Sequence, residues 1–136
     1  MTDPAEISVK LRRLAEGYTA AWCGGDPARV ASFYGEGGSL SVNGGAPAVG
    51  RDAVAEVARG FMTAFPDMRV VMDGLSAGDD GTIYRWTLTG TNTGPGGTGR
   101  AVCISGREVW RISEGGLIAE SHGHFDEEEY LRQVGQ

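Results

Sequence analysis

The chemistry-bearing residues of this chain gather near its end. Ile118, Glu120, His122, His124 and Asp126 stand at alternate positions, so an unbroken strand carries them on one face. Leu117, Ala119, Ser121 and Phe125 take the other face. Two imidazoles and two carboxylates turned toward a protected interior could pass a proton among themselves, because partial burial shifts the pKa of such groups readily. His122 and His124 also have the spacing of a metal pair. The sequence offers them no clear third ligand, so no metal and no cofactor are expected. Asp126 has two readings that do not exclude each other. It is one of the four groups that could share a proton, and it opens Asp126-x-x-Glu129, the pattern of a capping box that starts a terminal helix.

Upstream, Glu108 shares strand parity with Val102, Ile104, Trp110 and Ile112. A carboxyl among those apolar neighbours has a raised pKa if it is buried. The other reading pairs it with an arginine, Arg107 or Arg111, of a neighbouring strand or chain. Trp86 shares a face with Tyr84, Leu88 and Asn92, which form an apolar wall with Asn92 near its rim, or ordinary core. Tyr18 lies on the apolar stripe of the first helical segment, where a core tyrosine with a satisfied hydroxyl is the simplest reading.

The segments that must position these residues follow from periodicity. Ile7, Leu11, Leu14, Ala15, Tyr18, Ala21 and Trp22 form one helical stripe, closed by Cys23-Gly24-Gly25. Asp26-Pro27 starts a short second helix, read through Tyr34. Gly35, Gly37 and Gly38 read as a loop, and 39–42 as a short strand. Val54, Val57, Ala58, Phe61, Met62 and Phe65 mark a third helix after Gly50, stopped by Pro66. From residue 68 the period becomes two, with strands expected at 68–77, 82–93, 100–112 and 117–125, joined by glycine-bearing turns into an antiparallel meander. Glycine inside strands, at Gly90, Gly106 and Gly123, suggests bulges that would reverse side-chain facing. The expected fold is α+β: one 136-residue domain in which a cone-shaped, curved, mostly antiparallel sheet wraps three N-terminal helices. The enclosed volume is the natural pocket.

Composition excludes several functions. The formal net charge is -6, of which residues 114–136, with six acids and Arg132 alone as base, carry -5. Phosphate backbones and anionic membranes need clustered cations, so neither is an expected partner. No apolar run approaches membrane-spanning length. Met1 to Ile7 lacks a basic and then apolar leader pattern, and two cysteines build no disulfide framework, which together point to the cytoplasm. Glycine, at 23 residues, falls mainly at element ends.

These elements and their punctuation resemble the nuclear transport factor 2-like (cystatin-like) cone, and within it the SnoaL-like polyketide cyclases. The resemblance rests on Tyr18-Thr-Ala-Ala-Trp22 with Gly25-Asp26, on Gly50-Arg51-Asp52-Ala53, on Gly90-Thr-Asn-Thr-Gly94, and on Ile118-Ala-Glu120 through Asp126 to Gln133. His122 stands where that ending has tryptophan. The resemblance implies a cofactor-independent enzyme holding an apolar carbonyl compound in the cone, with enolate-type aldol cyclisation or isomerisation. It puts Asp126 in the place of the proton-transferring carboxylate, assisted by His122 and His124. Tyr18 and Glu108 match the oxyanion-hole pair of ketosteroid isomerases, and with Trp86, Asn92 and Trp110 they would bind substrate. That group's base has no match, since Val42-Asn43 stands there. Arg85 matches the arginine of limonene epoxide hydrolase, but Thr87 and Gly123 replace its aspartates. The alternative is a non-catalytic binding or dimerisation module on the same fold. A homodimer is expected through the outer sheet face, which carries Ile83, Arg85, Thr87, Thr89, Cys103, Ser105, Arg107 and Val109.

Overall fold

A computed structural model describes residues 8–79 and 81–135. Ile7, assigned above to the first helix, lies outside the described residues. Helix α1 spans Val9–Cys23, and its N-cap Ser8 accepts the Leu11 N–H on its hydroxyl at 3.1 Å. Gly25, just past its end, takes the left-handed step at φ 68°. Ala15, Tyr18, Ala21 and Trp22 form its buried stripe. Asp26 caps α2 (Pro27–Ser32), accepting the N–H groups of Ala28 and Arg29.

The chain then enters strand β1, Tyr34–Val42, without an intervening loop. This corrects two expectations: α2 does not reach Tyr34, and Gly35, Gly37 and Gly38 are strand residues. The reason is tertiary. Strand β1 runs parallel to the last strand of the sheet, and a Cβ at Gly38 would sit 2.8 Å from the Ile118 carbonyl oxygen. Glycine here permits close approach of two backbones, not a turn. The two-residue β2 (Ala48–Val49) pairs antiparallel with β1. Helix α3 (Arg51–Ala64) follows, and its first residue donates from Nε to the Tyr34 carbonyl at 3.0 Å.

Strands β3 (Arg69–Gly78), β4 (Gly81–Thr91), β5 (Ala101–Ile112) and β6 (Ile118–Phe125) form the antiparallel meander the spacing predicts. The six strands lie in the order β2-β1-β6-β5-β4-β3. Their inner faces close over α1, α2 and α3, and the core includes Tyr18, Tyr34, Phe65, Tyr84 and Trp110. At one sheet edge, the Cys23 thiol meets both the N–H and the C=O of Val70 on β3. Among the described residues no helix is long and apolar enough to cross a membrane.

One irregularity redirects the site. Arg111 pairs with Glu120 but Ile112 pairs with Ile118, so Ala119 is an extra residue in β6. Ile118 faces the core, and two residues later the facing has reversed. Ser121 and Gly123 are buried and Phe125 points inward, whereas Glu120, His122 and His124 lie on the outer face. The expected single polar face from Ile118 to Asp126 does not exist. A bulge was anticipated at a strand glycine, but this one falls at an alanine.

Helix α4 (Glu127–Val134) begins where β6 stops. It covers the part of β5 that extends beyond β6, and Gln133 Oε1 accepts the Cys103 N–H at 2.6 Å. Asp126 is its N-cap, accepting the Glu129 N–H at 3.0 Å. Glu129 turns its carboxylate to Arg132, so only half of the capping box is made. Replacing Asp126 by Ala should therefore destabilise the fold by ~1 kcal/mol, whereas Asn should stay close to wild type. Circular-dichroism melts of the two variants check this, and equal loss in both would show that the charge matters more than the cap.

Candidate functional site

Glu108 is the best-connected polar group in the interior. It sits on the inner face of β5, between Val102 and Ile104 on one side and Trp110 on the other, and is only 7% exposed. Among the described residues no arginine lies within ion-pair distance of it; Arg111 pairs instead with Glu120 at 3.5 Å on the outer face. Neutral donors satisfy it. Its Oε1 accepts from Ser121 Oγ at 2.6 Å, from Trp110 Nε1 at 2.9 Å and from the Tyr18 hydroxyl at 3.0 Å. Its Oε2 receives only the longer arm of that Tyr18 contact, at 3.2 Å.

The Tyr18 hydroxyl lies 2.9 Å from that of Tyr34. Tyr18 has a single proton, and it is directed at Glu108, so Tyr34 must donate to Tyr18. The result is a relay from Tyr34 to Tyr18 to Glu108, sealed by aromatic rings. Tyr18 makes edge-to-face contacts with Trp22, Phe33, Tyr84 and Trp110, and Tyr84 stacks on Trp110 at 4.8 Å.

Burial pushes the Glu108 pKa above its ordinary value, and hydrogen bonding to Ser121, Trp110, Tyr18 and, most weakly, Tyr34 opposes that rise. Tyr18 and Tyr34 are held well above the usual phenol range, first by burial and then by the nearby Glu108 carboxyl. Both phenols therefore act as donors and not as bases. Oε1 is saturated with donors, which leaves Oε2 as the oxygen free to hold or give a proton.

Glu108 opens onto an apolar cavity of about 70 Å³ inside the cone. Trp22 and Phe61 come to its wall from the helices, Tyr84, Trp86 and Phe125 from the sheet, and Tyr130 from α4. The Trp86 indole lies over Gly106, where a Cβ would be 2.5 Å from the ring, and its Nε1 is buried without a partner. Among the cavity-lining residues Glu108 is the only carboxyl.

The expected site residues divide clearly. Glu108 and Trp86 line the cavity. Tyr18 and Trp110, both fully buried, stand behind Glu108 and hydrogen-bond it. Asn92 does not reach the cavity: its side chain donates to the Ala64 carbonyl and accepts the Thr98 N–H, pinning the 93–99 turn. The bulge at Ala119 takes His122 and His124 out of the cone. His122 meets Ser41 Oγ through Nδ1 at 3.1 Å and Glu120 through Nε2 at 3.7 Å, all on the outer face. Arg111 holds the Glu120 pKa below its ordinary value. Asp126 is exposed and borders a shallow outer hollow with Arg107 and His124. Among the described residues no three His, Cys, Asp or Glu side chains gather as a metal site.

Sequence reasoning missed Ser121 and Tyr34. Ser121 had been given the opposite facing, and Tyr34 had been assigned to α2. A buried tyrosine beside a glycine run was the available signal for Tyr34; nothing local announced Ser121.

The curved sheet closed over helices places the protein in the class of cone folds shared by ketosteroid isomerase-like and nuclear transport factor 2-like proteins. The chain belongs to the SnoaL-like domain family, whose pattern matches residues 15–121. It is similar in structure to a candidate SnoaL-like polyketide cyclase from Jannaschia sp. CCS1, at 16% identity and TM-score 0.83, covering 98% of this chain and 97% of that one. TsrD from Streptomyces laurentii is 23% identical, with TM-score 0.80 over 96% of this chain and 98% of that one. AclR, a candidate hydroxylase from Streptomyces galilaeus, is 22% identical, with TM-score 0.77 over 93% of this chain and 81% of that one. No curated protein matches the sequence.

The raised Glu108 pKa makes a pH prediction. As pH rises past the ordinary value of 4.5, the unfolded chain loses this proton before the folded one does. Glu108 therefore costs stability progressively from that pH up to its raised folded pKa, and the cost then levels off. Glu108→Gln should remove this decline. Urea denaturation of both proteins from about pH 4 to pH 8 checks it, and a difference that does not change with pH would contradict the assignment.

Proposed function

We propose that the protein binds a small apolar carbonyl compound in the cone, and that the protonated Glu108 hydrogen-bonds the carbonyl oxygen from Oε2, stabilising the enolate that forms there as the α-carbon proton leaves to solvent water. The single observation behind this reading is one buried carboxyl, with one oxygen saturated by donors and the other sparsely bonded, on the wall of an otherwise apolar cavity. A carboxyl that carries its proton is a strong donor to a carbonyl oxygen on which charge develops, and burial favours that form of Glu108. Family membership supports the same class of chemistry, as does the Jannaschia relative's naming as a candidate polyketide cyclase. The geometry lends no support to carrying proton transfer to Asp126, His122 or His124, because a general base must come within hydrogen-bond reach of its proton.

A second reading, binding without turnover, is favoured by the lack of any other carboxyl or imidazole among the residues lining the cavity. One experiment separates the two. Proton exchange at the α-carbon of 1-tetralone in deuterated water, followed by NMR, should accelerate with wild-type protein and not with Glu108→Gln. Saturable binding without acceleration would favour the binding module. The absence of any binding would sink both readings.

The reading includes a homodimer through the outer sheet face. Arg85 stands directly opposite Arg107 across β4 and β5. Like charges in register are unfavourable when left alone. Among the described residues neither arginine has an acidic partner within ion-pair distance. Val71 adds exposed apolar surface on β3. The acidic turn Asp126-Glu127-Glu128 of a second copy has the complementary charge. Light scattering after size exclusion should give a dimer at micromolar concentration, weakened by Arg107→Glu; a monomeric wild type would contradict the idea.

A further inference from the structure

Three glycines lie inside the meander strands facing the core, and two of them have packing reasons. A Cβ at Gly90 would press on Phe65 at 3.0 Å, and one at Gly106 would meet both the His124 carbonyl and the Trp86 ring at 2.5 Å. Gly123 is placed less tightly. Its backbone is outside the left-handed region, and a Cβ there would lie 3.3 Å from the Ser41 carbonyl oxygen and 3.9 Å from Glu108 Cγ. An alanine would fit if that carbonyl yielded by a few tenths of an ångström. Glycine weakens a strand, because it orders at greater entropic cost and brings no side chain to pack. The close approach to β1 accounts for part of its presence at a buried position and leaves room for a second reason.

The register supplies one. Gly123 is directly opposite Glu108 across the β5–β6 pair, and Tyr84 is directly opposite Glu108 across β4–β5. Side chains in such pairs lie side by side on the same face. Tyr84 therefore covers one flank of the carboxyl; on the other, Ser121 reaches Oε1 but Gly123 places no side chain beside the group, and Gly123 itself lines the cavity. A larger residue at 123 would fill space on the cavity wall beside the acid, since its Cβ alone would come within 3.9 Å of Glu108 Cγ.

Resting on the carbonyl-binding reading above, we infer that Gly123 is the specificity-determining residue of the site: the gap it leaves on the β6 flank of Glu108 is where the carbonyl oxygen of the ligand enters. The site then selects ketones whose oxygen projects free of bulky neighbours, since the oxygen must fit into a space the size of one missing side chain. Gly123 makes no bond to the ligand; it acts by leaving the acid uncovered.

The test compares 1-tetralone with tetralin, the same bicycle without the carbonyl, by quenching of the tryptophans in the cavity wall. Wild type should prefer the ketone, and Glu108→Gln should lose that preference. Gly123→Ala should reduce the ketone preference by about tenfold, the size of one well-made hydrogen bond, and Gly123→Val should abolish it. Both variants should keep measurable tetralin binding. Should valine fail to fold, the alanine variant alone decides. An unchanged ketone preference in a folded Gly123→Ala protein would overturn this inference and leave the role of Glu108 standing. Indifference of the wild type to the carbonyl would overturn the reading of Glu108, and this inference with it.

Discussion

A carboxyl group buried in an aromatic core organises this protein. Leaving such a group without partners would cost several kcal/mol, on the order of the whole stability margin of a small domain. Glu108 tolerates its place because donors from three parts of the fold converge on it. Tyr18 comes from α1, Trp110 from its own strand, Ser121 from β6, and Tyr34 on β1 stands one hydroxyl further back. Each of those side chains is in turn buried and can occupy its position only if the elements around it are in register. The carboxyl thus ties the helix layer to both halves of the sheet. Its demands also explain why so small a domain devotes so many aromatic rings to one region.

The same network divides the carboxyl into two unequal oxygens. Donors crowd Oε1, which locks the orientation of the group, while Oε2 stays sparsely bonded. Burial favours the protonated form and the hydrogen bonds favour the ionised one. A carboxyl whose pKa burial raises holds its proton more readily than an exposed one, which is the property that acid chemistry on a carbonyl needs. The apolar walls of the cavity strengthen the effect by excluding water from the only carboxyl on its surface. On the outside of the sheet the balance is reversed. Glu120 and Glu129 sit in solvent beside arginines and ionise below their ordinary pKa, so they contribute charge and solubility but no comparable proton chemistry.

Much of the architecture was legible along the chain. The helical stripe from Leu11 to Trp22, the Asp26-Pro27 start of α2, the stop at Pro66 and the four-strand meander all rest on local periodicity and local turn chemistry, and the structure shows each of them. The errors arose where a distant element decided the outcome. The glycines at 35–38 look like a loop until β6 is laid alongside them. Asn92 shares strand parity with Trp86, yet its amide is drawn to Ala64 and Thr98. Tyr34 looks like the end of a helix until its hydroxyl is seen to complete the Glu108 relay.

The sequence by itself determined the class of fold, the inward facing of Glu108 and Trp86, and the cap at Asp126. Each depends on residues within a few positions of one another, where the periods of helix and strand are enforced by the backbone alone. Only the tertiary structure decided which face of β6 looks into the cone. That choice turned on one extra residue, Ala119, accommodated by the pairing of β6 with β5, and alanine carries no mark of a bulge. Because the strand period is two, that single residue moved His122 and His124 to the outer face and brought Ser121 and Gly123 to the acid.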